Sequence, residues 1–428
     1  MLFFGPAASG KGSAAMETAR ALSCENDNAP WKCTCTSCER HRLLIHPDLA
    51  MIGPRNFAAE IAASQAAFLR DTTSPPGRSL FIRSLRKLLA RFAPAVWEYE
   101  SKSGRVNPLS VLLSLEEGLD EFESLAENVS PDIPALEKLT DSLVRNAFKL
   151  EDECMGEFIS IAQIRKAAYW SRLSSSGKRK TLIIENADRM KDEARNSLLK
   201  LLEEPPESIS FILTVRRKES LIPTVLSRLR PYRFVARAIS EEQEIIRRVF
   251  RDTAFLEKKP SAKTESCLEA YLDSFLPQPS EKLLPLAAFF IAAVSRSAAV
   301  SAKSRGIAAM SVTLKALGSY CAPIAEAAGF ERLSDAKEVI AVLLLRSGNF
   351  EGRSFPRFLA MILDLVSWAL KQQLAESSYG LIACNDIWRK FIGEAQESCS
   401  VWNQKPELAL ELLFNKLRED LAALKNRG

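Results

Sequence analysis

Residues 181–215 read TLIIENADRMKDEARNSLLKLLEEPPESISFILTV. Thr181-Leu182-Ile183-Ile184 is a short apolar run of the kind buried on both faces in a parallel sheet. Asp192 to Glu203 follows as a helix, and Pro205-Pro206 stops it because proline offers no N–H to the preceding turn. Ile209 to Val215 is a second buried strand. Strand, helix and strand in this rhythm mean a parallel α/β sheet. Upstream, Ser160 to Leu173 is helix-like, and Ser174-Ser175-Ser176-Gly177 turns the chain into the first of these strands. Beyond about residue 238 nothing reads as a strand. Ser240-Glu241-Glu242-Gln243 signals the N-cap of a new helix, Leu256 to Ser280 closes a small helical domain, and the rest, to Gly428, is Ala/Leu-rich and helical.

At the other end of the chain, Gly5-Pro6-Ala7-Ala8-Ser9-Gly10-Lys11-Gly12-Ser13 lies between a short strand and a helix, Ser13 to Leu22. That is the setting of a phosphate loop: backbone N–H groups and the helix N-terminus cradle phosphates while the lysine reaches the terminal ones. Gly5, Gly10, Lys11, Gly12 and Ser13 are the candidate nucleotide-binding residues. The standard loop has Ser or Thr directly after the lysine, to hold Mg²⁺. Here Gly12 takes that place and the hydroxyl comes one residue late, at Ser13, an arrangement similar to the Gly-Lys-Gly-Thr loop of adenylate kinases. The strand 181–184 ends in Glu185-Asn186-Ala187-Asp188, where P-loop ATPases carry Asp-Glu. Glu185 can reach a metal ion, but the amide of Asn186 has no basicity with which to activate water. Asp188 is expected to cap the following helix.

Cys24, Cys33, Cys35 and Cys38 supply enough thiols for one tetrahedral, closed and therefore structural Zn²⁺ site. The remaining five of the nine cysteines are scattered and read as buried apolar residues. His46, before Pro47, ends this module. With His41 it completes the histidines of the chain, so a Ser-His-Asp or Cys-His catalytic arrangement has no support.

Residues 54–158 are expected to be helical, with breaks at Pro75-Pro76, Gly104 and Pro131. One helix carries Leu80, Phe81, Leu85, Leu88, Leu89 and Phe92 beside Arg83, Arg86, Lys87 and Arg91. A second carries Leu112, Leu115, Leu119 and Phe122 beside an acidic set from Glu116 to Glu123. The two can pair as an antiparallel hairpin. The basic face is then either an ordinary solvated face or a nucleic-acid or partner surface.

A chain of 428 residues has room for two or three domains, at roughly 150 residues each. Charged residues at 26% and a mean hydropathy of −0.06 exclude a disordered chain and a membrane protein. The longest apolar run, Leu283 to Val294, contains Pro285 and falls short of the ~20 residues of a spanning helix. Met1-Leu2-Phe3-Phe4 is too short for a signal-peptide core. A net charge of +5 permits nucleic-acid contact without arguing for it. The cysteine pattern suits a reducing compartment, and a cytoplasmic protein is expected.

Ala194-Arg195-Asn196-Ser197-Leu198-Leu199-Lys200-Leu201-Leu202-Glu203-Glu204-Pro205-Pro206 resembles the Asn-Ala-Leu-Leu-Lys-x-Leu-Glu-Glu-Pro-Pro signature of the bacterial DNA polymerase III clamp-loader subunits, gamma/tau and delta-prime. Leu221 to Arg228 is similar to their Pro-x-Thr-(Ile/Leu)-x-Ser-Arg-Cys motif, with Leu229 in place of the cysteine. His46-Pro47-Asp48 and the helix Ser160 to Arg165 are similar to that family as well. The family spaces its cysteines Cys-x₈-Cys-x₂-Cys-x₂-Cys, so Cys33 stands one residue off.

The resemblance implies an AAA+ P-loop module at 1–53 and 159–237, interrupted by the helical insertion 54–158. A helical lid at 238–280 and a C-terminal helical collar at 281–428 follow. It implies a hetero-pentamer with gamma/tau and delta, acting on the sliding clamp and primed DNA. It also implies that Arg228 serves as an arginine finger to the ATP of a neighbour. A leader that contacts adenine in relatives is expected ahead of the first strand, at which this sequence starts. Val215 falls where a sensor threonine is expected. The departures at Gly12 and Asn186 point to the delta-prime type, a stator without hydrolysis of its own. The alternatives are a working gamma-like ATPase, using Glu185 and Asp188, and more remotely a P-loop nucleotide kinase.

Overall fold

The computed structural model describes residues 1–97, 107–126, 132–257, 266–304, 312–350, 353–371, 378–400, 402 and 404–423. The expected breaks at Gly104 and Pro131 lie outside these residues. Two compact units divide the chain, Met1–Leu276 and Pro277–Gly428.

The first unit opens with β1 (Leu2–Phe4), α1 (Lys11–Leu22), α2 (Thr36–Leu43) and β2 (Leu49–Ile52). Four helices follow: α3 (Ala58–Arg70), α4 (Pro75–Leu89), α5 (Pro108–Ala126) and α6 (Ile133–Cys154). The chain then returns through α7 (Ile161–Arg172), β3 (Lys180–Ile184), α8 (Asp192–Glu203), β4 (Ile209–Val215), α9 (Pro223–Leu226) and β5 (Pro231–Arg233). Three short helices end the unit: α10 (Ile239–Ile245), α11 (Thr253–Glu257) and α12 (Cys267–Asp273).

The strands form one parallel sheet in the order β2-β3-β4-β1-β5. Leu2 sits opposite Leu213 and Thr181 opposite Leu49, so the phosphate-loop strand lies one strand away from the strand that ends in Glu185. Both faces of β3 are buried, which is why Leu182 to Ile184 run apolar without alternation. On one face, Leu182, Ile184, Leu213 and Val215 pack with Ile164 and Trp170 of α7 and with Ala194, Leu198 and Leu201 of α8. On the other, Ile183 and Ile212 pack with Ala15 and Ala19 of α1.

Ser160 caps α7 as expected, its hydroxyl accepting from Gln163 N while Gln163 returns the bond. Two other expected caps differ. Helix α8 is preceded by Lys191, with no side-chain cap, and Asp188 lies in a separate 3₁₀ turn. Extended backbone at Met190 and Lys191 separates that turn from the helix. Helix α10 starts at Ile239 rather than beyond Ser240, with the Glu241 carboxylate accepting from Ala238 N at 3.0 Å.

The basic and acidic helices α4 and α5 do not form a private hairpin. Helix α4 packs chiefly along α3, and α5 along α6. A T-shaped Phe81–Phe122 contact and the Arg86–Glu123 ion pair at 2.5 Å join α4 to α5. Two basic residues of α4 are engaged inside the unit: Lys87 with Glu60, and Arg86 with Glu123 and the Leu43 carbonyl.

The second unit is helical: α13 (Ser280–Ser304), α14 (Val312–Ala327), α15 (Ala336–Ser347), α16 (Ser354–Lys371), α17 (Ser378–Ser400) and α18 (Pro406–Ala422). Helix α13 is long and apolar enough to cross a membrane by length and composition. It is instead the centre of this bundle: Phe289, Phe290, Ile291 and Val294 are fully buried against α14, α16 and α18.

Candidate functional site

The four cysteines of 24–38 converge. Their sulfurs all lie within 4.8 Å of one another, with Cys24 Sγ 3.6 Å from Cys33 and 4.0 Å from Cys35. Four sulfurs at ~2.3 Å from one tetrahedral centre stand about 3.8 Å apart, so this spacing fits Zn²⁺, whereas a disulfide needs ~2.05 Å. In the loop before Cys33, Ala29 takes a positive φ and Cys33 N bonds Pro30 O.

Donors surround the sulfurs. Asn26 Nδ2 reaches Cys33 Sγ at 3.0 Å, Cys35 N reaches it at 3.5 Å, and the buried Arg20 reaches Cys38 Sγ at 2.8 Å. The Cys35 N–H, with Asn26, draws the Cys33 thiol down to about 6, while burial pushes Cys38 up to about 12. Such a donor shell orients thiolates and offsets their negative charge. Arg20 belongs to α1, so the cluster is tied to the helix that begins at Lys11.

His46 is not aimed at the sulfurs. Its Nδ1 accepts from Asp48 N at 3.0 Å and its Nε2 meets Ser37 Oγ at 3.1 Å. Asp48 in turn accepts from Ser176 N and Gly177 N at 3.0 and 2.7 Å. His46-Pro47-Asp48 therefore locks the turn that feeds β3, a role its sequence did not disclose.

The loop 5–13 lies between a strand and a helix, the setting expected of it. Gly10, at φ 91°, precedes α1, and Ala8 also takes a positive φ. Lys11 Nζ folds back over the loop, donating to Gly5 O at 2.7 Å, to Ser9 Oγ at 3.2 Å and to Pro6 O. Burial, then the nearby Arg216, lowers its pKa to about 8. Arg237 closes on the same loop, donating to Ala8 O at 2.6 Å.

The acidic end of β3 departs from a metal-binding arrangement. Glu185 Oε2 is bonded by Arg91, and Oε1 lies 3.5 Å from Arg55 Nη1. Burial alone raises the Glu185 carboxyl; Arg55 and Arg91 outweigh it and hold the group below its ordinary range, so it is a paired carboxylate. A Cβ on Gly12 would stand 2.6 Å from Glu185 Oε1, in the space where the usual serine or threonine would sit. Two guanidinium groups already answer the negative charge that Mg²⁺ would need, and no hydroxyl stands directly after Lys11. These residues do not fit a Mg²⁺-nucleotide site.

Asn186 is a structural donor. In left-handed backbone (φ 49°), it sends Nδ2 to Pro54 O at 2.7 Å, and its N–H meets Thr214 Oγ1 at 3.2 Å. The buried polar group at the end of β4 is thus Thr214, one residue before Val215. Arg228 is exposed, just after α9, and pairs with Glu203 of the Glu-Glu-Pro-Pro stretch at 2.6 Å. Leu229, where the resemblance has cysteine, fills the core beside Val225.

Residues 121–237 match the family model described as DNA polymerase III, delta subunit. Over that segment the chain is similar to the DNA polymerase III delta-subunit family. The matched segment runs from inside α5 through β5, and so takes in the Glu-Glu-Pro-Pro helix and Arg228. Among solved structures, a DNA polymerase III gamma subunit-related protein from Thermotoga maritima is 20% identical, over 67% of this chain and 90% of that one, with a TM-score of 0.23. A score of that size adds nothing to the argument. No curated protein matches the chain.

Proposed function

We propose that this chain is a clamp-loader subunit of the delta-prime type, a stator that does not hydrolyse ATP itself and supplies Arg228 to the nucleotide of a neighbouring subunit. The observation that carries this reading is the pairing of Glu185 with Arg91 and Arg55 beside Gly12. A carboxylate whose charge is already balanced by two guanidinium groups has little attraction left for a metal ion, and Asn186 cannot serve as base. What the chain can offer catalysis is then a fixed guanidinium in trans, worth about 10³–10⁵ in rate in GTPase examples. Arg228 suits that role because it is exposed and steadied by the Thr224 carbonyl and the Ser227 hydroxyl, while its one carboxylate partner, Glu203, is one that a phosphate can outcompete.

In this reading the partners are gamma/tau and delta in a hetero-pentamer that loads the sliding clamp on primed DNA in the cytoplasm. Residues 238–280 serve as lid and 281–428 as collar. Zn²⁺ held by Cys24, Cys33, Cys35 and Cys38 cross-links the loop between α1 and α2. Its four thiolates leave no open position, so its chemistry is structural.

The test is Arg228→Ala in the reconstituted loader. Assembly should be intact and the DNA- and clamp-stimulated ATPase should fall by 10-fold or more, with Arg228→Lys rescuing only in part because lysine lacks the planar fork. Wild-type ATPase and clamp loading by the Arg228→Ala complex would end the arginine-finger assignment.

A further inference from the structure

The helical segment between β2 and α7 reaches into the phosphate-loop site. Arg55 follows β2 directly. Its position is set by Asn186, which holds Pro54 O at 2.7 Å, and by Glu60 at 2.5 Å. Arg91 lies in a 3₁₀ turn after α4 and is 3% exposed. It donates to Ile52 O at 3.1 Å as well as to Glu185. Lys87 of α4 completes a continuous chain of alternating charge: Lys87, Glu60, Arg55, Glu185, Arg91. The face of Phe57 lies under both guanidinium groups, 5.8 Å from Arg55 and 5.4 Å from Arg91. Phe57 is itself fixed, because the buried Glu151 of α6 accepts from Phe57 N and Ala58 N at 3.0 and 2.7 Å. Every helix from α3 to the turn after α4, and α6 behind them, thus helps to place two cations on one carboxylate.

We propose that Arg55 and Arg91 are the resident cations of this phosphate loop, answering the Glu185 charge in place of a divalent metal, with Arg55 on the side of Gly12, 3.4 Å from where a Cβ there would stand. The segment 54–158 is then an internal counter-ion carrier that makes the site indifferent to Mg²⁺. This rests on reading residues 5–13 as a phosphate loop and not on the stator assignment. The Arg228 experiment and the one below fail independently.

ATP is titrated into the full chain by calorimetry, once in MgCl₂ and once in EDTA. Binding in both, with affinities equal within threefold, is the expected result; no binding in either overturns the proposal, because the loop then holds no phosphate. ATP binding more than threefold tighter in MgCl₂ overturns the proposal. Arg91→Met is the second arm: with the guanidinium gone, ATP binding should become Mg²⁺-dependent by 10-fold or more. A folded Arg91→Met chain as indifferent to Mg²⁺ as wild type removes the metal-excluding role from Arg91. Should Arg91→Met fail to fold by circular dichroism, Arg55→Met, on a side chain that is 30% exposed, is read in the same way.

Discussion

The cysteine cluster and the phosphate loop lie within the first 38 residues, and both look like binding sites in the sequence. In three dimensions they diverge. The four sulfurs meet at a spacing a metal ion would need, with donors already turned toward them. The phosphate loop keeps its backbone setting, but its acidic partner is taken by arginines that stand 94 and 130 residues away from it in the chain. A cluster closed by one short loop carries its chemistry with it. A site assembled from three strand ends takes its charge from whatever the intervening segments deliver, and here they deliver guanidinium.

The sharpest way to break this comparison is at the cysteines. Purified protein is expected to hold about one Zn²⁺ per chain, and Cys38→Ser or Cys35→Ser should lose it. Structural zinc contributes directly to folding, with apparent binding energies of ~10–16 kcal/mol in zinc-finger peptides. Elemental analysis checks the metal content, and melting with a strong chelator checks the coupling. Protein prepared without chelator that contains no zinc would leave a packed thiol cluster and nothing more.

Next in size is Glu185→Gln. If Glu185 were a metal ligand in an open site, its removal would cost activity and little stability. As the partner of a buried arginine, its removal should cost about 3–5 kcal/mol, because Arg91 is left charged and unanswered. Urea unfolding decides, and a loss below ~1 kcal/mol would show that the ion pair is not what holds this corner together.

Much of the fold was legible. The bounds of α8 and β4 follow from a proline pair and an apolar run, and the Ser160–Gln163 cap from a local motif. Strands β2 and β5 were not legible. Leu49–Ile52 is a buried apolar run as short as 181–184 but has no strand-helix-strand rhythm around it to mark it, and Pro231–Arg233 is exposed along its length and carries no burial pattern. The caps were misread at Asp188 and Ser240 because a capping residue is defined by backbone angles, which flanking residues of similar chemistry do not reveal. At the site, the thiol set could be read because its members lie close in sequence. The roles of Arg55 and Arg91 could not, since on an amphipathic helix an arginine bound for a buried carboxylate looks like one bound for water.

Asn186→Asp is a smaller perturbation that distinguishes a lost base from a structural donor. Restoring a carboxylate at this position would favour hydrolysis if the rest of the site were in order. Here Nδ2 donates to Pro54 O, and an aspartate would set an acceptor against an acceptor. The expected outcome is no gain in ATPase and a stability loss of about 1–3 kcal/mol. An Asn186→Asp chain with wild-type stability and measurable ATP turnover would mean that Gly12 and the arginines do not close the site.

The smallest expected effect probes the cationic crowding of the loop through pH. Lys11 is lowered from 10.5 to about 8, by burial first and by Arg216 second, with Glu269 and Glu185 opposing. Below pH 8 the ammonium is charged in the folded and the unfolded chain alike, and the folded state carries the whole cost of holding it there. Between 8 and 10.5 the folded chain gives up a proton that the unfolded chain still binds, so the cost fades as pH rises. Lys11→Met has no charge at any pH. Relative to the variant, wild type should therefore gain stability from pH 8 to 10.5, by about 1 kcal/mol once solvent screening of a half-exposed group is allowed for. Paired urea titrations at four pH values across that window measure the difference, in which other alkaline titrations cancel. A flat difference would mean that Lys11 keeps an ordinary lysine environment, and with it that the phosphate loop is less crowded by its neighbours than Arg216, Arg237 and the Glu185 pair require.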